Sequence, residues 1–228
     1  MNNIYENKDE CAKCGGYCCK KCGCDYSAKD FESLKIDFLQ SKLEEGYISI
    51  VSYQDFKRTK DGKLINQPFL YLRARNINRP IVDLLSMKTT CKALQDNGCL
   101  YDIDNRPSGG LNLIPGIGNK IFGSELHIGD IPCYPEVSPF DIVDTWRNYQ
   151  NILFKLVKRI TGKSVYEQIK IDVENLFYDL MCGNIDGVMK QELLDIKNMI
   201  PILKEAYPLE YENACKCYNK NNILILSK

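Results

Sequence analysis

The sequence predicts an α+β fold: a cysteine-rich N-terminal half with a small antiparallel sheet and one helix, followed by a C-terminal helical bundle. Three observations predict it. Cysteines and glycines crowd residues 11–24, short β-branched and aromatic runs fall between 47 and 85, and from 138 onward apolar residues recur at helical spacing. The division falls near 137, giving regions 1–137 and 138–228.

Each element has its own signal. Ser27 and Asp30 form an N-cap signature, and Phe31, Leu34, Phe38, Leu39 and Leu43 follow at helical spacing, which predicts a helix over 28–45 closed by Gly46. Residues 47–53 (YISIVSY) and 69–75 (FLYLRAR) read as paired strands, with Asp61-Gly62 between them as a hairpin tip. IVDLL (81–85) is a third strand candidate. Glycines and prolines then make 86–137 mostly irregular, the kind of long loop that usually carries function. GIGNKIFG (116–123) lacks both the preceding strand and the GxGxxG pattern of a dinucleotide-binding loop.

Ser138 and Pro139 open the helical part, with Trp146, Tyr149, Leu153, Leu156, Val157 and Ile160 on one predicted helix ending at Gly162. Ser164 and Glu167 are a capping box for the next helix, which runs to about Cys182 before Gly183. A third pattern covers 187–206 and is expected to bend or break at Pro201. The tail ILILSK is a short strand or a docking segment.

Composition excludes several function classes. The 228 residues carry 30 Lys+Arg against 30 Asp+Glu, a balance that argues against nucleic acid or an anionic membrane as partner. Mean hydropathy is −0.31 and no apolar run approaches 18 residues, so no membrane span is expected. The opening MNNIYENKDECAKC has no apolar stretch of the signal-peptide kind, which predicts a cytoplasmic chain. In a reducing compartment 12 cysteines mean metal or catalysis rather than disulfides. A protein or peptide partner is compatible with this composition, and the oligomeric state is not readable from it.

The cysteines fall into three groups. Cys11, Cys14, Cys18, Cys19, Cys22 and Cys24 form a loop spaced by Gly15, Gly16 and Gly23, and Lys13, Lys20 and Lys21 would offset thiolate charge. Cys91, Cys99 and Cys133 lie in the irregular segment and are remote ligand candidates. Thiolates two residues apart can meet one ion without backbone strain, and both zinc and an iron–sulfur cluster take four of them. The radical-SAM spacing is absent. Cys182 is expected to be a buried thiol, and Cys215 and Cys217 are poorly spaced for chelation. His127, six residues before Cys133, is an ordinary loop histidine or a fourth ligand.

The first loop, C-x2-C-x3-C-C at Cys11, Cys14, Cys18 and Cys19, resembles the YkgJ-like cysteine-cluster family described as zinc- or iron-chelating. CKALQDNGCLYDIDNRP (91–107) is similar to that family's second block. The resemblance covers about residues 11–133 and leaves the helical third outside it. It implies a cytoplasmic bacterial protein holding metal through Cys11, Cys14, Cys18 or Cys19, Cys91 and Cys99. The family's further cysteine after Arg-Pro is missing, since Arg106-Pro107 runs on into SGGLNLIP, and Cys133 is its candidate replacement.

Three functions emerge as expectations. The first is a metal-binding protein holding zinc or an iron–sulfur cluster. The second is an enzyme using that centre on a peptide or lysine side chain, since the signature is shared with flagellin lysine methylases; Asp102, Asp104, Arg106 and Ser108 lie near Cys99 for such a role. The third is a thiol redox sensor.

Overall fold

The computed structural model describes residues 19, 24–85, 87–95, 98–102, 105–115, 133–135, 138–184 and 190–226. In chain order, strand β1 (Asp25–Tyr26) precedes helix α1 (Ile36–Glu44), and the hairpin strands β2 (Ile48–Tyr53), β3 (Phe56–Arg58), β4 (Leu64–Asn66) and β5 (Phe69–Ala74) come next. β6 (Val82–Asp83), β7 (Leu94–Gln95) and β8 (Gly98–Cys99) lead into a single turn of helix, α2 (Ser108–Leu111). β9 (Leu113–Pro115) and β10 (Cys133–Pro135) complete the strands. Helices α3 (Pro139–Asp144), α4 (Gln150–Thr161), α5 (Val165–Cys182), α6 (Lys190–Ala206) and α7 (Pro208–Leu226) end the chain. The expected α+β organisation is present.

The main sheet has the order β1-β5-β2-β6. β5 pairs antiparallel with both β1 and β2, from Ile48 opposite Ala74 to Tyr53 opposite Phe69. The hairpin then continues as the β3–β4 ribbon, whose tip is Gly62 at φ +82°, as Asp61-Gly62 predicts. β6 corrects the expectation of a purely antiparallel sheet, because it runs parallel to β2. The chain leaves β5 at the end where β2 begins, turns at Asn76–Asn78 and returns along the far side of β2. That path forces the parallel direction.

The helix predicted over 28–45 is shorter. Ser27 and Asp30 do form a capping box, but it opens only a 3-10 turn, Ala28–Asp30, and Phe31 is extended. Phe31 instead packs against Tyr26 and Trp146, with ring centroids 5.4 and 5.7 Å away. The helix starts afresh at Ile36, buries Leu39 and Leu43, and stops before Gly46 at φ +84°. A second correction concerns 139–160, where one helix becomes two. Thr145 accepts the Ala28 N–H at 2.9 Å, and Trp146, wholly buried, donates its indole N–H to the Tyr26 carbonyl at 2.7 Å. Holding both groups against β1 turns the chain before α4 begins.

The helical part otherwise obeys its sequence signals. Ser164 and Glu167 cap α5, and Gly162 and Gly183 take the left-handed conformation at φ +73° and +74°. α6 continues through Pro201 rather than breaking there. Pro201 and Lys197 are both exposed, so solvent is at hand for the carbonyl that loses its donor. Residues 223–226 of the tail are not a strand but the end of α7, which docks on α5 with Ala214 fully buried and Tyr211 edge-on to Phe177 at 5.0 Å.

One core runs through both regions. Ile50, Leu70 and Leu72 of the sheet, Leu39 and Leu43 of α1, and Leu153, Leu156 and Ile169 of the helical part share it, all fully buried. Polar side chains bind the regions as well. Gln150 both accepts from the Leu70 N–H and donates to the Leu70 carbonyl, each at 2.8 Å, standing in for a missing strand neighbour. Among the described residues no helix is long and apolar enough to cross a membrane.

Candidate thiol centre

The β1 end of the sheet is where Cys19 and Cys24 of the first cysteine group meet Cys91 and Cys99 of the second. Cys24 leads directly into β1, and its carbonyl accepts the Ala74 N–H at 2.7 Å. Beyond β5, Cys91 bridges to Asn76, and the Lys92 N–H reaches the Arg75 carbonyl at 2.8 Å, so the second block lies along the continuation of the central strand. The tight β7–β8 ribbon then turns Cys99 back opposite Leu94, three residues after Cys91. Cys91 donates its backbone N–H to the carbonyl of Cys19 at 2.5 Å. The Cys19 thiol also contacts that of Cys99. Cys19 and Cys91 are buried, whereas Cys24 and Cys99 are half-buried.

A pair of tyrosines lies beside three of these cysteines, Tyr26 near Cys24 and Cys91 and Tyr101 near Cys91 and Cys99. Tyr26 and Tyr101 are joined through their hydroxyls. Burial first, then Tyr101 and the Cys24 and Cys91 thiols, push the Tyr26 hydroxyl far above its ordinary range, so it stays protonated. Contact with Cys19 holds the Cys99 thiol down to about 6, against the opposing effect of burial and with help from the Tyr101 backbone and Arg106. Lys92 sits with its ammonium 5.4 Å from the Tyr47 ring, which meets Tyr101 edge-on at 6.3 Å. The centre is thus a thiol group with protonated hydroxyls inside it and cations at its edge, an arrangement suited to holding thiolate charge.

The sequence candidates divide into those gathered here and those elsewhere. Cys19, Cys24, Cys91 and Cys99 all lie at this end of the sheet. Cys11, Cys14, Cys18 and Cys22, with Lys13, Lys20, Lys21 and His127, lie outside the described residues. Of Cys133 the structure gives the backbone, in β10 opposite Pro115. Among the described residues no three His, Cys, Asp or Glu side chains form a group able to hold a metal ion. Cys182 corrects its expectation: it is exposed, because it lies about 240° round α5 from the buried Leu176. Cys215 and Cys217, two positions apart on α7, point about 200° from each other and do not face one ion.

The polar residues near Cys99 have structural partners. Asp102 accepts from the backbone and side-chain nitrogens of Asn105 at 3.0 and 2.7 Å. Ser108 binds Asp30, donating its N–H at 2.8 Å and its hydroxyl to the other carboxylate oxygen. Arg106 bonds to Cys99, and Asp104 lies outside the described residues. Sequence reasoning missed the two tyrosines. Their only local signal is position, Tyr26 two residues after Cys24 and Tyr101 two after Cys99. Comparison of the chain with protein-family models, with curated proteins and with solved structures found no match.

Proposed function

We propose that the chain is a metal-binding protein that holds zinc or an iron–sulfur cluster through clustered cysteine thiolates. The observation that supports it is the meeting of Cys19 with the second cysteine group: Cys91 bonds to the Cys19 backbone at 2.5 Å, and the Cys19 side chain bonds to the Cys99 thiol. Cys19, Cys24, Cys91 and Cys99 are the ligand candidates on the described side, with Cys11, Cys14, Cys18, Cys22 and Cys133 the remaining ones. Zinc would supply a structural cross-link there, and an iron–sulfur cluster would supply one-electron chemistry.

Anaerobic purification followed by metal and acid-labile sulfide determination tests this reading. Brown protein with sulfide identifies a cluster, and colourless protein with stoichiometric zinc identifies a zinc site. Metal-free protein overturns the proposal. Cys99→Ser should lose metal while Cys182→Ser keeps it.

The Cys19–Cys99 contact also favours a second reading, a redox pair. Two thiols would give up two electrons and two protons to a peroxide, forming one disulfide and leaving water and an alcohol or a second water. Peroxide treatment followed by peptide mapping should then yield a Cys19–Cys99 disulfide. A map without that bond removes this reading.

A further inference from the structure

We propose that the Ser108-Gly109-Gly110 segment is a strap that closes the thiol centre over Cys24, with Asp30 as its catch. The RPSGG stretch comes after Cys99 as an unexplained loop in the sequence. In the structure it lies directly on the chain around β1. A Cβ at Gly109 would stand 2.6 Å from both the nitrogen and the oxygen of Asp25, and backbone atoms cannot yield to it. A Cβ at Gly110 would stand 3.3 Å from the Cys24 sulfur. Gly109 is therefore required by close approach to backbone, while Gly110 is a tight fit against the Cys24 side chain, and neither has the positive φ for which glycine is usually kept.

Asp30 holds the strap from outside. Its carboxylate accepts the Ser108 N–H at 2.8 Å and the Ser108 hydroxyl, and the Ser27 N–H at 2.9 Å fixes Asp30 itself. Ser108, Gly109 and Gly110 thus meet Asp30, Asp25 and Cys24 in turn, antiparallel in order along the chain. Arg106, two residues upstream, reaches Cys99. A five-residue segment consequently touches one thiol from each cysteine block. Its effect is to restrict the access of small reagents to the half-buried Cys24 and to keep the blocks in register. The importance of what it covers rests on the metal or redox reading above; the closure itself does not.

Timed alkylation with iodoacetamide tests the strap on the full-length protein as purified, with each cysteine followed by peptide mass spectrometry. Exposed Cys182 serves as the internal reference. Cys24 should react at least about tenfold more slowly than Cys182, and Gly109→Ala or Asp30→Ala should remove most of that protection without changing Cys182. Asp30→Asn, which keeps one acceptor oxygen, should retain part of it. Should Gly109→Ala fail to fold by circular dichroism, the two Asp30 variants still decide. Cys24 as reactive as Cys182 in the native protein, or equal protection in every folded variant, overturns the strap. Metal content is measured on the same samples. Metal-free protein with Cys24 still protected removes the metal reading and leaves the strap; metal-loaded protein with Cys24 unprotected does the reverse.

Discussion

The two capping boxes of this chain use the same motif and come to different ends. At Ser164 the box opens an 18-residue helix, and Glu167 bonds only back to Ser164. At Ser27 it opens a 3-10 turn of three residues, and Asp30 commits its second oxygen to Ser108, 78 positions away. The difference lies in the residues after the cap. Val165, Ile169, Val173, Leu176 and Phe177 give α5 a continuous buried stripe, which favours propagation. After Ser27, Ala28 is held by Thr145 and Phe31 is drawn to Trp146, so the turn is pulled into extended chain. A cap specifies where a helix can start; burial of the next two turns decides whether it continues.

Asp172 gives the sharpest way to break this contrast, because it is a helical carboxylate that serves the sheet. It accepts the Leu84 N–H at 3.0 Å and the Gln168 amide at 2.8 Å. Burial pushes its carboxyl up from 3.8 to about 6, against those two bonds. Between these values the folded state holds a proton that the unfolded state has lost. Stability from this group therefore falls as pH rises through that window, and the loss is complete above about 6. Asp172→Asn removes the buried charge but keeps one acceptor oxygen for two donors, so it should raise stability at pH 7 by about 2 kcal/mol and flatten the decline between pH 4 and 6. Urea unfolding at both ends of the window measures it. A destabilised variant at pH 7 would mean that the hydrogen bonds outweigh the buried charge.

Asp30→Ala removes an acceptor shared by three donors and should cost about 2 kcal/mol in the same assay. Ser164→Ala loses a local cap alone, and about 1 kcal/mol is expected. Equal costs would erase the distinction between the two boxes. Smallest of all, Cys182→Ser on the exposed side of α5 should stay within about 0.5 kcal/mol of the native protein. A larger loss would restore the buried position that its sequence neighbourhood suggests.

Much of the helical region is legible because its signals are local. Ser138, Gly162, Ser164, Glu167 and Gly183 act within one turn of where they stand, and α5 arises from its own apolar period. Pro201 is misleading for a reason of exposure: solvent serves the carbonyl that the ring leaves unpaired. α7 is illegible from its asparagine-rich sequence because its stability comes from partners. Asn221 donates to the Tyr178 hydroxyl at 2.7 Å, and Asn213 reaches Glu174 at 3.3 Å. Those contacts exist only once α5 is in place.

The sequence by itself determined the α+β class, the paired strands at 47–53 and 69–75, the caps of α5, and the two cysteine blocks as the place to look for chemistry. Hydrophobic period, capping residues and thiol spacing are all encoded within a few neighbouring positions. The tertiary structure alone decided the parallel direction of β6, the break at Trp146, the exposure of Cys182 and the helical tail. It also decided which thiols meet. Cys19 bonds to Cys99 because the chain past β5 gives Cys91 a neighbour at Asn76 and because the β7–β8 ribbon turns Cys99 back opposite Leu94. Each of these depends on groups far apart along the chain, where no local pattern records the distance between them.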